Sequence, residues 1–261
     1  MEQTRPRNYS KSATRALEVM NYLAVAGRAV RAVEIAEALN IARSSTDQLL
    51  KTMTLEGYLV LSLDGKTYFP SLRMAAFGHW VAGCYPAVHR YQAIVEDIHD
   101  QTGGIVTISM QNGYVMQLTS MTSSDFEVSG FAVGRKVPVV GTVIGSAVLT
   151  THSQKTVSRL IERARQRRLV GWTVPCGSSF IDDIHLFRMK GYVSAPTPSE
   201  VKSEAGPRNM PLWSIAMPLP GERDAPGIVL GFCAHAAEAK ANERNLVNLM
   251  RRSIRQHLEH Y

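Results

Sequence analysis

The stretch that decides the fold is SATRALEVMNYLAVAGRAVRAVEIAEALNIARSSTDQLLKTMTLEGYLVLSLDGKTYF, residues 12–69. Its apolar residues recur three and four positions apart in three successive segments, and then alternate in two short ones. The first spacing is typical of amphipathic helices and the second of strands. The pattern predicts three helices followed by a two-stranded hairpin. This is the layout of a winged helix-turn-helix, a domain that places one helix in a DNA groove.

Capping and turn residues mark the ends of these elements. A serine is suited to begin a helix, a glycine or asparagine to close one, and an Asp-Gly pair to form a tight hairpin turn. The predicted elements are a first helix from the N-cap Ser12 to Gly27, a second that closes at Asn40, a third over about 42–56, and strands over 58–63 and 67–69 around Asp64-Gly65.

The third helix has an apolar side and a polar side, and the polar side predicts DNA contact. Gln48 matches the hydrogen-bonding pattern of adenine, and Arg43 matches guanine or a phosphate. Small hydroxyl residues let the helix backbone approach the groove. A small helical domain that never touches DNA is the alternative, but the hairpin directly after the third helix favours DNA binding. The predicted DNA-contacting residues are Arg15, Arg43, Ser44, Ser45, Thr46, Gln48, Lys51 and, at the wing tip, Lys66.

Several short motifs follow one another along nearly the whole chain. They are 12–17 (SATRAL), 34–39 (EIAEAL), 42–46 (ARSST), 56–59 (EGYL), 68–74 (YFPSLRM), 134–138 (GRKVP), 145–149 (GSAVL), 191–192 (GY) and 215–218 (IAMP). In this order they resemble the IclR family of bacterial transcriptional regulators. The resemblance implies an α+β chain with an N-terminal winged helix-turn-helix and a C-terminal GAF-like effector-binding domain, an antiparallel sheet flanked by helices.

The expected organisation is a DNA-binding domain over residues 1–70, a linker helix over 71–85 and an effector-binding domain over 86–261. Pro70 and Ser71 mark the first boundary. The linker helix carries Phe77 and Trp80, which either pack on their own domain or form a dimer contact, the role that the resemblance implies. A functional dimer or tetramer is expected, because a two-fold symmetric protein reads a palindromic operator.

The second domain is expected to alternate strands and helices. The predicted elements are a hairpin around Asn112-Gly113, helices over 142–151 and 153–168, a helix from Ser179 or Asp182 to Gly191, strands over 213–219 and 228–235, and a last helix from about 239.

The resemblance places effector contacts near Val143, Glu200, Ser214, Gly231 and Cys233. Thr142 begins a predicted helix, whose free N–H groups favour an anion. A small organic acid, with aromatic acids among the candidates, is therefore the expected effector. The full predicted set is Met110, Gln117, Thr142, Val143, Ser214, Gly231 and Cys233, with Ser109 as a neighbour.

Composition narrows the remaining classes. The net charge of +7 favours an anionic partner, although residues 1–70 hold nine Lys/Arg against seven Asp/Glu, and much of the excess falls within 155–168 and 240–255. The three dispersed cysteines, the lack of a signal peptide and the lack of a long apolar run predict a cytoplasmic protein without membrane contact. No catalytic or metal motif stands out, so we expect no enzyme activity, cofactor or metal. A GAF-like redox or small-molecule sensor or enzyme, without specific DNA binding, is the alternative.

Overall fold

A computed structural model describes residues 10–84, 88–122, 127–129, 133–171, 174, 177, 179–203, 206–220 and 227–258. The chain divides into two compact units, Met1–Pro86 and Ala87–Tyr261, and each is described by itself. Among the described residues, no helix combines the length and the apolar character that crossing a bilayer requires.

The N-terminal unit is a winged helix-turn-helix followed by one further helix. Its sheet has the strand order β1-β3-β2, and both pairings are antiparallel. The elements are α1 (Lys11–Ala26), β1 (Val30–Arg31), α2 (Ala32–Ala38), α3 (Arg43–Leu55), β2 (Leu59–Leu61), β3 (Thr67–Pro70) and α4 (Leu72–Cys84). The predicted fold of this unit is confirmed.

Three details of the N-terminal unit differ from the sequence-based expectation. The first helix is capped by Ser10 rather than Ser12, because the Ser10 side chain accepts a hydrogen bond from the N–H of Ala13. The strand β1 was not predicted, since two residues are too few to show alternation. The strand β2 ends at Leu61, because Ser62 already turns the chain and its N–H donates to the Thr67 carbonyl. The predicted left-handed positions at Gly27 and Asn40 are confirmed, with φ of 61° and 51°.

A small core holds the three helices against the sheet. Val19 and Leu23 from α1, Ile35 from α2 and Leu50 from α3 are all buried in it. Burying a side chain of this size contributes roughly 1.5–3 kcal/mol, so this apolar stripe supplies most of the stability that fixes the orientation of α3.

The C-terminal unit is an antiparallel sheet covered by helices on both faces. Its strand order within the described residues is β6-β8-β9-β10-β4-β5-β7. The elements are α5 (Val88–Thr102), β4 (Ile105–Asn112), β5 (Val115–Met121), β6 (Glu127–Ser129), β7 (Lys136–Pro138), α6 (Val143–Leu149), α7 (Gln154–Gln166), α8 (Phe180–Lys190), β8 (Val193–Ser203), β9 (Gly206–Pro218), β10 (Ile228–His235), α9 (Ala236–Ala241) and α10 (Glu243–Leu258).

Alternation along the central strand assigns the side chains to two cores. Leu230 and Phe232 of β10 pack with α5 and α10, whereas Val229 packs with α6, α7 and α8. We call these sides of the sheet the α5 face and the α6 face. Since directly paired residues of antiparallel strands point to the same side, the strand register assigns every other position to one face.

Candidate DNA-binding surface and effector site

The outer side of α3 is polar and exposed. Arg43, Ser44, Gln48 and Lys51 are exposed there, and Ser45 is half-buried. They lie opposite Leu50 and Met53, whose burial fixes the rotation of the helix about its axis. The helix therefore presents four of the predicted contact residues on one accessible side.

Thr46 is different, and the prediction that its side chain contacts DNA is wrong. The residue is completely buried, and its hydroxyl donates back to the carbonyl of Ala42 at 3.3 Å. It lies three and four positions before Leu49 and Leu50, and thus on the core side of the helix. Its small side chain instead lets α3 pack closely in the domain.

Acidic groups restrict the positive charge of this surface. Arg43 Nη2 lies 3.7 Å from Glu37 Oε1 of α2, but both side chains are largely exposed, so the ion pair is weak. Asp47 is exposed between the polar residues and raises the pKa of Tyr68 on β3, after the larger effect of burial. A carboxylate at this place repels anions and so reduces the positive potential of the surface.

The tip of the wing is a turn that is ordered by its own side chains. Ser62 Oγ donates to the carboxylate of Asp64, and the backbone N–H of Lys66 donates to the same carboxylate at 3.2 Å. These hydrogen bonds, that from Ser62 first, lower the pKa of Asp64. The turn leaves the Lys66 side chain exposed next to Leu63, which is fully exposed as well. The exposure of Leu63 at the wing tip was not predicted from the sequence, because Leu63 was assigned to the strand over 58–63. Its position directly before the turn residues Asp64-Gly65 could have indicated that it belongs to the tip.

Arg15 is half-buried on α1. No contact of this side chain with the polar side of α3 is seen, so its role in DNA binding stays a prediction.

The predicted effector residues do not all share one side of the sheet. Met110 packs against the core of the α5 face, and Gln117 pairs directly with Met110 and so has the same orientation. Ser214, Gly231 and Cys233 lie on the α6 face, together with Val143 of α6 itself. The prediction of a single pocket that includes Met110 and Gln117 is therefore wrong, because the pleat directs adjacent positions to opposite faces.

Thr142 caps α6 as predicted, but its hydroxyl is already engaged. It donates to the carbonyl of Pro138 at 2.6 Å and accepts from the N–H of Gly145 at 3.1 Å. A hydroxyl has one proton to donate. The Thr142 side chain therefore has no donor left for the carboxylate of an effector.

Gly231 marks a close approach between α6 and the sheet rather than the wall of an open cavity. A Cβ at this position would lie 2.5 Å from Thr107 Oγ1 and 3.4 Å from Ile144 Cγ2. These distances leave no empty space beside the glycine for the side chain of a Gly231→Leu variant. Such a substitution is expected to overpack the interface and destabilise the domain.

Ser214 and Cys233 contact each other across β9 and β10, at 3.2 Å between Oγ and Sγ. Both are buried, and burial raises the pKa of the Cys233 thiol to about 11, against a smaller opposing effect of the Ser214 hydroxyl. Because the thiolate is the reactive form of cysteine, Cys233 is not a redox-active thiol at neutral pH. Cys84 is exposed, and Cys176 lies outside the described residues.

Two serines of the α6 face have hydroxyls without a hydrogen-bond partner. Ser109 on β4 and Ser146 on α6 are both completely buried. Ser109 pairs with Val229 and so points toward the helices α6 to α8. A buried hydroxyl without a partner costs about 1–3 kcal/mol, so each needs an explanation. Ser109 was named in the sequence analysis only as a neighbour, and Ser146 was missed because it lies within an apolar helix.

A separate groove of about 110 Å³ lies between α7 and α8. Val157, Ile181 and His185 line it, and so does Arg188, whose guanidinium donates to the Thr150 and His152 carbonyls. Small-molecule pockets usually measure about 300–1,000 Å³. The groove contains none of the predicted effector residues and is too small for a ligand of ordinary size.

Acidic residues and histidines do not gather into a metal site in the described part of the chain. Asp182 and Asp183 lie in the first turn of α8, where the helix dipole stabilises them. His257 lies 3.9 Å from Asp97 of α5, and His260 lies outside the described residues. No three histidine, cysteine or acidic side chains come together there in a way that suits a metal ion.

The predicted effector position Glu200 lies on β8, but its side chain is outside the description.

Comparison with known proteins agrees with this architecture. Residues 12–61 match the sequence model of the IclR helix-turn-helix domain. The HTH-type transcriptional regulator XynR of Escherichia coli is 20% identical over 210 residues, which cover 78% of this chain and 81% of XynR. The acetate operon repressor of Salmonella typhimurium is 20% identical over 197 residues, covering 70% and 68% of the two chains.

The fold is shared with a solved structure as well. The crystal structure of Thermotoga maritima IclR superposes with a TM-score of 0.62 at 14% identity, covering 94% of this chain and 96% of that one. The matched relatives are regulators of transcription rather than enzymes. The N-terminal unit thus matches the IclR helix-turn-helix domain of DNA-binding transcriptional regulators, and the chain as a whole is similar to IclR-type regulators in sequence and in fold.

Proposed function

We propose that the protein binds a palindromic operator as a dimer or tetramer, and that a small organic acid held on the α6 face alters this binding. The regulated genes are proposed to form a catabolic cluster. The exposed polar side of α3 is the observation that carries the proposal, because in this fold that helix lies in the major groove. The Lys66 wing then contacts the neighbouring phosphates.

The DNA contacts divide into two kinds that respond differently to mutation. Arg43 and Lys66 carry exposed positive charge, and each phosphate contact adds about 0.9 to the slope of log affinity against log salt concentration. Gln48 carries no charge and is suited to a bidentate contact with adenine. Charge loss should therefore change the salt dependence, and loss of Gln48 should change the sequence preference.

The test uses the duplex upstream of the protein's own gene in a gel-shift titration. Arg43→Ala and Lys66→Ala are expected to weaken binding and to lower the salt slope by about 0.9 each. Gln48→Ala is expected to lose about 1–3 kcal/mol of discrimination at one base pair. Lys190→Ala, at the exposed C-terminal end of α8, removes the same charge outside the proposed surface and serves as the control. Wild-type affinity and slope in both charge variants would refute the proposal.

The effector part of the proposal is supported by the hydroxyls of Ser109 and Ser146. A carboxylate is an acceptor only and takes hydrogen bonds from two hydroxyls at once. The core on this face is apolar, and Val143, Ala147 and Val229 are buried in it. Two buried hydroxyl donors next to a largely apolar core favour a small acid with an apolar body as the ligand. They add side-chain donors to the backbone N–H groups at the start of α6, which were the predicted contacts of the acid.

Ser109→Ala separates a ligand role from a structural one. The substitution removes a buried hydroxyl that has no protein partner, so the free energy of unfolding should stay equal or rise by about 1 kcal/mol. The response of operator binding to the acid should be lost, with benzoate and acetate as the aromatic and aliphatic probes. Ser253→Ala is the matched control, because Ser253 of α10 is equally buried and unpartnered. An unchanged response in a folded Ser109→Ala protein contradicts the assignment.

Self-association is supported by the apolar surface of α4. No residue of this helix is buried, although Leu72, Phe77, Trp80 and Val81 lie on it. The rings of Phe77 and Trp80 contact each other edge to face at 6.2 Å, and Phe77 reaches Tyr58 at 6.4 Å. Exposed apolar patches of this kind mark interaction sites. A second copy of the chain, which supplies the same helix in a two-fold arrangement, is the proposed partner.

A further inference from the structure

The positive charge of the C-terminal unit is concentrated on α7 and the residues that follow it. Residues 154–168 contain six Lys/Arg and a single acidic residue, Glu162. Glu162 is itself engaged by the side-chain amide of Gln166 at 2.8 Å. The basic residues are exposed, and neighbouring turns of the helix thus carry like charges that destabilise it. This clustering of like charges only destabilises a helix that faces water. In a helix that binds a polyanion, the same charges contribute to binding.

Three of the arginines form a row with a tyrosine beside them. Arg159, Arg163 and Arg167 are spaced four residues apart, so they follow one another at intervals of about 6 Å along one side of the helix. Arg163 Nη1 donates to the hydroxyl of Tyr114 at 3.2 Å, and the Arg167 guanidinium lies over the Tyr114 ring at 4.7 Å. We call these four residues the α7 arginine face.

The tyrosine holds the guanidinium groups in place without neutralising them. The hydrogen bond from Arg163 lowers the pKa of Tyr114 against the opposing effect of burial, and the charges of Arg163, Arg167 and Arg159 lower it further. At neutral pH the phenol stays protonated and uncharged, and its hydroxyl retains a proton to donate. The face therefore offers guanidinium forks and one hydroxyl donor.

The composition of the face favours a nucleic acid over a protein partner. Protein interfaces have an apolar core rich in aromatic residues, whereas interfaces with DNA are polar and positively charged. Along α7, which is described in full, no large apolar side chain is exposed. Arginine rather than lysine predominates, and its planar fork matches the geometry of a phosphate. The regular spacing matches a linear row of negative charges rather than a single ion.

We propose that the α7 arginine face binds the phosphate backbone of duplex DNA without sequence preference, as a second contact in addition to the α3 surface. The proposal goes beyond the function proposed above and relies on it only for the presence of DNA. The C-terminal unit would then contribute to DNA affinity as well as to effector binding. Because the contact is purely electrostatic, it is most important at low salt.

The experiment measures the salt dependence of binding of the full chain to a random-sequence 60-bp duplex. Arg159→Ala, Arg163→Ala and Arg167→Ala are combined in one variant. With about 0.9 of slope for each contact, raising the salt from 50 to 200 mM should weaken the wild type roughly 40-fold more than this variant. The corresponding triple lysine variant keeps the charge and should retain most of the slope.

A second basic helix supplies the matched control. Arg244, Arg252 and Arg255 of α10 are exposed as well, and their replacement by alanine removes the same charge. If both triple variants lose slope equally, the effect is one of net charge, and the proposal is overturned. The proposal is also overturned if the α7 variant keeps the wild-type slope. If that variant has instead lost binding to purified bacterial RNA polymerase, the α7 arginine face is assigned to a protein partner.

The test distinguishes this inference from the function proposed above. Arg43→Ala with Lys66→Ala reports on the α3 surface in the same assay. A normal slope in the α7 variant together with a reduced slope in the Arg43/Lys66 variant refutes only the α7 proposal. The reverse result refutes only the assignment of the α3 surface. Thermal melting shows that both proteins are folded, as expected for substitutions of exposed side chains.

Discussion

At the scale of the residue, Glu34 shows how one carboxylate fixes the helix next to the DNA-binding surface. Its Oε1 accepts the backbone N–H of Arg31 at 3.0 Å, and its Oε2 accepts from Arg28 at 2.7 Å. The hydrogen bond from Arg28, followed by those from Arg31, lowers the pKa of Glu34 from 4.5 to about 2. The carboxylate thus caps the first turn of α2, which packs directly against α3.

The lowered pKa predicts a specific dependence of stability on pH. A carboxyl whose pKa is depressed in the folded state stabilises the protein fully above its unfolded pKa near 4.5, and this contribution is lost as the pH falls toward 2. We expect Glu34→Gln to lower the melting temperature at pH 7 and to flatten its decline between pH 4.5 and 2. Glu56→Gln, at an exposed position after α3, is the control. Parallel melting curves of wild type and Glu34→Gln across this range would contradict the account.

At the scale of the element, α4 has an unusual composition for a helix in water. Its apolar residues are distributed around the whole helix, and not one of them is buried within its own unit. Its start is nevertheless well fixed, because Arg73 Nη1 donates to the Glu56 carbonyl at 2.7 Å and its guanidinium lies 4.8 Å from the centre of the Tyr58 ring. A helix that is anchored at one end and exposed along its length is suited to pair with a copy of itself.

The pairing of α4 can be tested at Trp80, which is 64% exposed. Trp80→Glu places a charge in the proposed interface and should lower the mass observed by light scattering at micromolar concentration. The isolated fold should be unaffected, because the side chain makes no contribution to the core of its unit. His79→Glu adds a charge to an exposed neighbour on the same helix and is the control. A Trp80→Glu protein with the mass of the wild type would exclude α4 from the interface.

Elements that are determined by residues close in sequence were predicted well, and elements that depend on distant partners were not. The helices α3, α7 and α8 were predicted correctly because their signals lie within a few residues. These signals are the apolar periodicity, the N-cap Ser153 of α7 and the C-cap Gly191 of α8. The strand β8 was not, because prolines argue against a strand interior and nothing local reveals a partner. It nonetheless pairs with β9 from Val193↔Ala216 to Ser203↔Gly206, so a long-range contact overrides the local signal.

At the scale of the whole molecule, the candidate sites depended on burial and on side-chain direction. The polar side of α3 was predicted correctly as an exposed surface, except for Thr46, whose hydroxyl made it resemble its exposed neighbours. On the sheet, Met110 and Ser109 were both assigned to one effector pocket. Adjacent residues of a strand point to opposite faces of the sheet, so the two cannot share it. Which residues of β4 point to the α6 face follows from the pairing register of β4 with β10, and this register cannot be read from a single sequence.

The position of β10 within the sheet governs the order in which the two units are completed. Residues 228–235 lie between β9 and β4, so they close the sheet from the middle, although they come late in the chain. The elements of the N-terminal unit end at Cys84, and the residues of its core all lie between Ala16 and Tyr68. At about 5–20 residues per second, a ribosome translates the intervening stretch in on the order of ten seconds.

During that interval the nascent chain carries the DNA-binding elements and a sheet in which β4 pairs with β5 but still lacks β10 on its other side. A premature stop codon between Ala87 and Ile228 preserves this state permanently. Such an allele yields a fragment that retains the α3 surface and α4 but has neither a closed α6 face nor, if it stops early, the α7 arginine face. In a cell that also makes the intact protein, we expect the fragment to compete for the proposed operator without the proposed response to an acid, so that the allele is genetically dominant in a reporter assay.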